Sequence, residues 1–381
     1  MKNIVIIGGG FSGLATANHL ARKINRKKVK ITLIEPKEEN IYEPEYLFWV
    51  FQDKPISNLL KPISKLLSKE VNWIKNIATK IDPEKNIVTI ENGKNILYDF
   101  LILATGARMA QEKLDAYCQT DNVCEFYTKD GVEHLKEKLM EFDGGTIVIT
   151  PTTVPYKCPP TPIEFAFLLD KYLRKRGIRH KSTIRFLYPL SRAFTMAEPA
   201  KKVEKLFAKR NIKFTPFFNF ETIDNENNKV LSLEGEEIGY ESLIIIPPHE
   251  GQDVIKDSGL GDREGWITTD RYTMKHNEHD NIYAIGDGTN LPVSKSGTVS
   301  HFSSNILVKN LISELKGKPP KAKYKGLTIC FILTSFKKSM LLHFSYNYPP
   351  KKYGLNSTLL FGLFKKAFKF AYFKFLIKGR L

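Results

Sequence analysis

Two short runs carry residues able to do chemistry. Gly8-Gly9-Gly10-Phe11-Ser12-Gly13 is a G-x-G-x-x-G fingerprint. Gly8 allows a tight turn, Gly10 lets backbone approach a pyrophosphate, and Gly13 lets the following helix pack close to a strand. The free N–H groups of that helix start, with its partial positive charge, suit phosphate. The second run is Tyr156-Lys157-Cys158-Pro159-Pro160-Thr161-Pro162-Ile163-Glu164. Its prolines place Cys158 just before a helix expected over about 162–176. The helix dipole and Lys157 would favour a thiolate there, lowering the thiol pKa and making it reactive.

The elements needed to position these groups are legible. Residues 3–7 (Asn-Ile-Val-Ile-Ile) read as a buried parallel strand before the glycines, and residues 14–22 as the helix after them. A second strand, residues 30–34, ends at Glu35, 22 residues beyond Gly13, where an acid takes ribose hydroxyls. An acid rather than Arg disfavours a 2′-phosphate. Two further strands end in Ala104-Thr105-Gly106 and in Gly286-Asp287. Another glycine-led strand, Gly144 to Thr150, runs into Pro151-Thr152-Thr153-Val154-Pro155 in place of a second fingerprint. Proline brings no N–H and β-branched residues block close phosphate approach. The next strand, residues 184–188, ends in Tyr188 rather than an acid. A second Rossmann-like domain without a nicotinamide nucleotide is expected.

The charge is lopsided. Of 58 Lys plus Arg, 15 lie in the 67 residues after Glu314, which hold none of the 41 Asp plus Glu. The body is therefore near neutral, at +2, within a chain total of +17. This excludes nucleic-acid binding over the whole surface and points to an anionic partner of the tail. In the tail, Lys365, Lys366 and Lys369 share one helical arc, with Leu363, Phe364, Ala367, Phe368 and Ala371 opposite. A basic amphipathic helix of this kind suits an anionic membrane surface. The pattern breaks after Tyr372. No run of 18 apolar residues predicts a spanning helix. The start lacks the longer apolar stretch of a secretory signal, which points to the cytoplasmic membrane face. Four scattered cysteines (Cys118, Cys124, Cys158, Cys330) fit neither a disulfide scaffold nor zinc.

The fingerprint, Ala-Thr-Gly and Gly-Asp in this order resemble the two-dinucleotide-binding-domain flavoproteins. The likeness implies FAD, with Gly8, Gly10, Phe11, Ser12, Gly13, Glu35, Ala104, Thr105, Gly106, Gly286 and Asp287 in its site. A narrower likeness follows. Residues 156–164 resemble the segment bearing one redox cysteine of the sulfide:quinone oxidoreductases, and Tyr324-Lys325-Gly326-Leu327-Thr328-Ile329-Cys330 the segment bearing the other. Cys124, in residues 121–127, resembles a third cysteine found in part of that family. Lys295-Ser296-Gly297 resembles a Lys-Thr-Gly stretch near the flavin, which implies Lys295 and Gly297 there.

The resemblance implies an α/β fold with two glutathione-reductase-like Rossmann domains and a C-terminal amphipathic membrane-surface module. The FAD domain would span 1–112 and 250–318, the second Rossmann domain 113–249, and the redox-cysteine and membrane region 319–381. Cys158 and Cys330 would form the redox pair, with Cys330 facing the flavin, Cys124 assisting sulfur release or flavin attachment, and Glu164 handling protons. Sulfide would be oxidised to polysulfide or sulfur and a membrane quinone reduced. Ile329, Phe331, Phe364 and Phe368 are the expected quinone contacts. Metal is not expected, and a homo-oligomer is left open. His301 lies nearest the inferred flavin segments and reads as a hydrogen-bonded structural residue. The rivals are a type II NADH:quinone oxidoreductase, the flavoprotein subunit of a sulfide dehydrogenase, and a non-catalytic flavin-bound membrane adaptor.

Overall fold

The structure is a computed structural model describing residues 1–25, 27–52 and 55–380. The tail's last residue, Leu381, lies outside them. In chain order the strands that position the site are β1 (Lys2–Ile7), β2 (Val29–Ile34), β3 (Asn72–Ile74), β4 (Phe100–Leu103), β5 (Val123–Cys124) and β6 (Gly145–Pro151). After them come β7 (Ser182–Leu187), β8 (Ile212–Thr215), β9 (Ser242–Ile246), β10 (Ile282–Ala284), β11 (Thr328–Leu333) and β12 (Ser339–Phe344). The helices are α1 (Phe11–Lys23), α2 (Thr161–Lys175), α3 (Gly297–Leu315) and α4 (Leu359–Ala371).

Two parallel five-stranded sheets form the frame, in the orders β10-β4-β1-β2-β3 and β5-β9-β6-β7-β8. Near-continuous apolar runs suit strands covered on both faces; Ile4, Ile6, Ile147 and Ile149 are fully buried. The order puts β1 between β2 and β4, so the glycine turn after β1 lies beside Ala104-Thr105-Gly106 at the end of β4. Strand β10 pairs with β4 and brings Gly286-Asp287 to the same edge. Ligands bind at such carboxyl ends of parallel strands.

Residues 319–381 divide their apolar contacts between the two sheets. The antiparallel hairpin β11–β12 puts Ile332, Leu333, Met340 and Leu342 into one core with α2 and the second sheet. Tyr372 and Ile377 enter the core of the first sheet with α1 and α3. Tyr372 stacks on Phe11 at 4.9 Å and its hydroxyl donates to Asn40 Oδ1 at 3.0 Å. Thr358 caps α4 by accepting from the Phe361 N–H. Gly362 lets α4 lie against the hairpin turn, since a Cβ there would meet the Lys337 carbonyl oxygen at 2.0 Å. At Tyr372, where the amphipathic pattern breaks, the helix passes into a wider turn, Tyr372–Leu376, that buries Tyr372 and Leu376.

Helix α4 docks on the protein through its lysine side. Lys365 reaches Glu164 at 2.5 Å and Lys369 reaches Glu45 at 2.5 Å. The expectation that Lys365, Lys366 and Lys369 all meet an anionic surface is corrected: two of the three lysines are turned into the protein, and of the three Lys366 alone is exposed. Leu359, Leu360, Leu363, Phe364 and Phe370 are the large apolar residues left outside, Leu363 at 61% and Phe370 at 65% exposure. Among the described residues no helix is long and apolar enough to cross a membrane.

Candidate active site

The dinucleotide seat follows from the glycines. Gly8 has φ +102°, and a Cβ on it would meet the Ala104 carbonyl oxygen at 2.3 Å. A Cβ on Gly13 would meet the Gly8 oxygen at 1.8 Å, while one on Gly10 would meet nothing within 4 Å. The turn is therefore closed beneath and open above, at the uncapped start of α1, whose first turn holds no acid. Glu35 is buried and accepts from the Gly9 N–H at 2.5 Å. The buried Thr105 hydroxyl has no partner among the described residues. Gly286, at φ +81°, packs on buried Ser12. Burial pushes the Asp287 carboxyl up against the opposing pull of Lys157 and Lys295. Lys295 donates to the Asp287 and Thr289 carbonyls at 2.8 and 3.0 Å and lies 3.6 Å from the Trp266 ring centroid. Burial lowers its amine to about 8. Gly297 opens α3 beside it. An open cradle, an orphaned hydroxyl and a ribose-type acid at one sheet edge fit a dinucleotide. Phe11 contributes differently from the expectation: its ring stacks on Tyr372 of the tail.

In the second sheet the corresponding positions are packed by side chains. Tyr188 is 2% exposed and shares a hydroxyl–hydroxyl bond of 3.2 Å with buried Tyr156. The Thr152 hydroxyl is held by the Ile246 carbonyl at 2.9 Å. Side chains of the 152–160 loop and the end of β7 interlock where a glycine loop and an acid would stand.

Cys158 and Cys330, 172 positions apart in sequence, lie within electrostatic reach of each other and of the same Glu164 and Lys365. Cys158 has φ +54°, rare for a residue with a side chain. Its N–H donates to the Lys295 carbonyl at 2.9 Å, and its carbonyl accepts from the Thr161 N–H at 2.9 Å. Cys330 lies on β11, whose Ile329 carbonyl accepts from Thr298 of α3 at 2.7 Å. Glu164, in the first turn of α2, accepts from the Leu333 N–H at 2.6 Å and from Lys365. It is 1% exposed, far from a solvated helix acid. Both thiols are free.

The expected low thiol pKa is corrected. Burial and then Glu164 push the Cys158 thiol up to about 12, and Lys365 offsets part of the rise. Lys157 gives little help because it is paired with Glu43 at 2.5 Å. Burial also raises Cys330, against hydrogen bonding from Ser296 and the charge of Lys365. This environment favours the protonated thiols.

Cys124 is not part of this cluster. It is 1% exposed in the core, with its thiol 3.8 Å from the Asp121 carbonyl and Cys118 as its neighbouring thiol. Burial raises both to about 12.

An apolar cavity of about 470 Å³ adjoins the pair and is lined by Ile329, Phe331, Phe364 and Phe368. Successive strand residues point to opposite faces. Ile329 and Phe331 therefore face the cavity while Cys330, between them, faces Ser296 and Lys365. Thr298 and His301 also line the cavity. His301 accepts or donates one 3.3 Å bond with Asn305, and burial lowers its pKa. Its position one turn along α3 from Gly297 was the signal for it. Lys365 was missed as a site residue because the sequence does not say which helix face docks. Among the described residues no cluster of His, Cys, Asp or Glu could hold a metal ion.

Comparison with known proteins gives the family of the chain. The family described as pyridine nucleotide-disulphide oxidoreductase matches residues 2–305. The mitochondrial sulfide:quinone oxidoreductase of Dictyostelium discoideum is 30% identical, over all of this chain and 87% of its own length. That of Mus musculus is 28% identical, over 91% of this chain and 79% of its own. The solved structure of the sulfide:quinone oxidoreductase of Aquifex aeolicus superposes with a TM-score of 0.86 at 26% identity, covering 100% of this chain and 92% of that one. The chain belongs to the pyridine nucleotide-disulphide oxidoreductase family and, within it, to the sulfide:quinone oxidoreductases.

Proposed function

We propose that the protein oxidises sulfide to polysulfide or elemental sulfur through Cys158 and Cys330 and passes two electrons by way of FAD to a membrane quinone. One observation carries the reading. Two cysteines share a buried site with Glu164 and Lys365, and an apolar cavity of quinone size lies on the other face of the same strand. In the oxidised pair, hydrosulfide attacks one sulfur, leaving a persulfide there and a thiolate on the other cysteine. Lys365 offsets the charge of that thiolate, and Glu164, its ion-pair partner, holds or moves a proton beside the thiols. Cys330, one residue from Ile329 and Phe331, is assigned to the flavin side. When bound, FAD supplies the two-electron acceptor, held by the residues of the first sheet named above.

Tyr156 and Tyr188 interlocking in the second sheet disfavours NADH as the donor. The exposed apolar face of α4, rimmed by Lys337, Lys338, Lys366 and Lys374, suits the surface of an anionic membrane from which a quinone enters. The test is an anaerobic mixing experiment on the holoprotein. Sulfide should bleach the flavin rapidly and NADH slowly or not at all. Rapid bleaching by NADH with none by sulfide overturns the reading.

A further inference from the structure

Among the described residues, His249 is the one buried histidine near the cysteine site whose ring has a nitrogen with nothing to bind. It is 3% exposed. Nδ1 lies 2.7 Å from the Pro247 carbonyl oxygen. A carbonyl only accepts, so Nδ1 carries the proton and Nε2 presents a bare lone pair. Nε2 has no partner among the described residues. Burial, with Lys157 next, lowers this histidine to about 3, so it stays neutral at any working pH.

Its place in the fold is specific. His249 follows β9 through Pro247-Pro248 and pairs antiparallel with Met109, just beyond the Ala104-Thr105-Gly106 turn. That puts it at the crossing between the two sheets. The Tyr127 ring meets it edge-on at 5.1 Å, and the Tyr127 hydroxyl donates to the Lys157 carbonyl at 3.1 Å. Cys158 is the next residue and is tied to Lys295. Lys157 and Lys295 thus flank the histidine and the cysteine, with Glu43 neutralising the first.

We propose that His249 Nε2 is a substrate-binding acceptor that takes the S–H of hydrosulfide beside Cys158. This rests on the sulfide-oxidising reading and deepens it. Hydrosulfide is an anion that also carries a donor. The two lysines suit its charge, and a neutral acceptor suits its hydrogen. With that hydrogen bound, the sulfur lone pairs are left for the cysteine pair. An anion without a donor gains nothing from Nε2, so the same nitrogen sets selectivity.

The experiment is single-turnover flavin bleaching of holoenzyme, with hydrosulfide and with thioacetate, a sulfur nucleophile that is ionised at working pH and has no S–H. His249→Leu should raise half-saturation for hydrosulfide about 2- to 10-fold, the range for one lost hydrogen bond without charge assistance. Half-saturation for thioacetate and the limiting rate should change little. His249→Gln, whose amide oxygen can accept, should recover most of the loss and guards against misfolding of the Leu variant. FAD content is measured in every variant. Equal half-saturation for hydrosulfide in wild type and His249→Leu overturns the assignment. Equal losses for both substrates overturn it too, as does loss of FAD as the sole defect, which would give the nitrogen to the cofactor. If wild type is not bleached by sulfide at all, the functional reading falls first and this proposal with it.

Discussion

Replacing Lys365 by Met tests how the tail is held and how the cysteine site is charged. Methionine keeps the length of the side chain and removes the ammonium. Glu164 would then be left 1% exposed with only the Leu333 N–H on its carboxylate. Removing one partner of a buried ion pair costs about 3–5 kcal/mol, because the other charge stays buried and uncompensated. The low end, about 3, applies here because Lys365 is itself 16% exposed and its removal admits some water. Glu164→Gln should be milder, about 1 kcal/mol, since the amide still accepts from Leu333 and Lys365 can swing its head to solvent. The double variant should resemble Glu164→Gln. Docking weakened by about 3 kcal/mol raises the opening of α4 on the order of 100-fold. Hydrogen exchange of the amides over 359–371 in the holoprotein reads this directly. If Lys365→Met exchanges like wild type, or Glu164→Gln proves the more damaging of the two, the buried-acid argument is wrong.

Cys158→Ser and Cys330→Ser should each abolish bleaching by sulfide while FAD stays bound, and Cys118→Ser and Cys124→Ala should leave it near wild type; equal activity in all four removes the redox pair. The raised thiol of Cys158 predicts that, in reduced protein, its alkylation by iodoacetamide rises about tenfold per pH unit between pH 7 and 10, since only thiolate reacts. Mass spectrometry of the trapped peptide checks this, and a plateau near pH 8.5 would contradict the raised value. Leu359, Leu363 and Phe370 changed together to Asp should abolish co-sedimentation with anionic vesicles, at about 2 kcal/mol of lost burial for each side chain. Undiminished sedimentation would show that this face does not meet lipid.

The first sheet was legible almost to the residue because its signals are local. A strand, a glycine turn, a helix and an acid at fixed spacing are dictated by backbone geometry around a phosphate, and Gly8 and Gly13 each have a steric reason to be there. The interlocked second sheet was legible for the same reason, from Pro and Thr standing where glycines would. What the sequence could not supply was long-range assembly. Nothing local to Cys158 shows that Lys157 will pair with Glu43, 114 positions earlier. Nothing local shows that Lys365 will arrive 201 positions after Glu164 to take over as the cation of the site. The thiol pKa was therefore misjudged from nearest neighbours, whereas desolvation by the whole assembly decides it.

The tail makes the same point about amphipathic helices. Helical periodicity tells that two faces differ, but not which one the protein keeps. The usual expectation is apolar inward. Here Gly362, Lys365, Lys369 and Tyr372, spaced at three, four and three residues, form the docking stripe, and they are the small and polar positions of the helix. They can dock because buried or half-buried carboxylates, Glu164 and Glu45, wait beneath them. The acids are in the body and the cations in the tail, so the charge asymmetry of the chain is partly consumed inside the molecule. That frees the Leu and Phe positions, which roof the 470 Å³ cavity on one flank and remain uncovered on the other. A helix bound by charge to the redox site and by apolar surface to its surroundings ties the two together: loosening Lys365 alters the cysteines and the cavity wall in one step. Activity toward long-tailed quinones should therefore fall in Lys365→Met even where single-turnover bleaching by sulfide survives, and assay with a short soluble quinone separates the two effects.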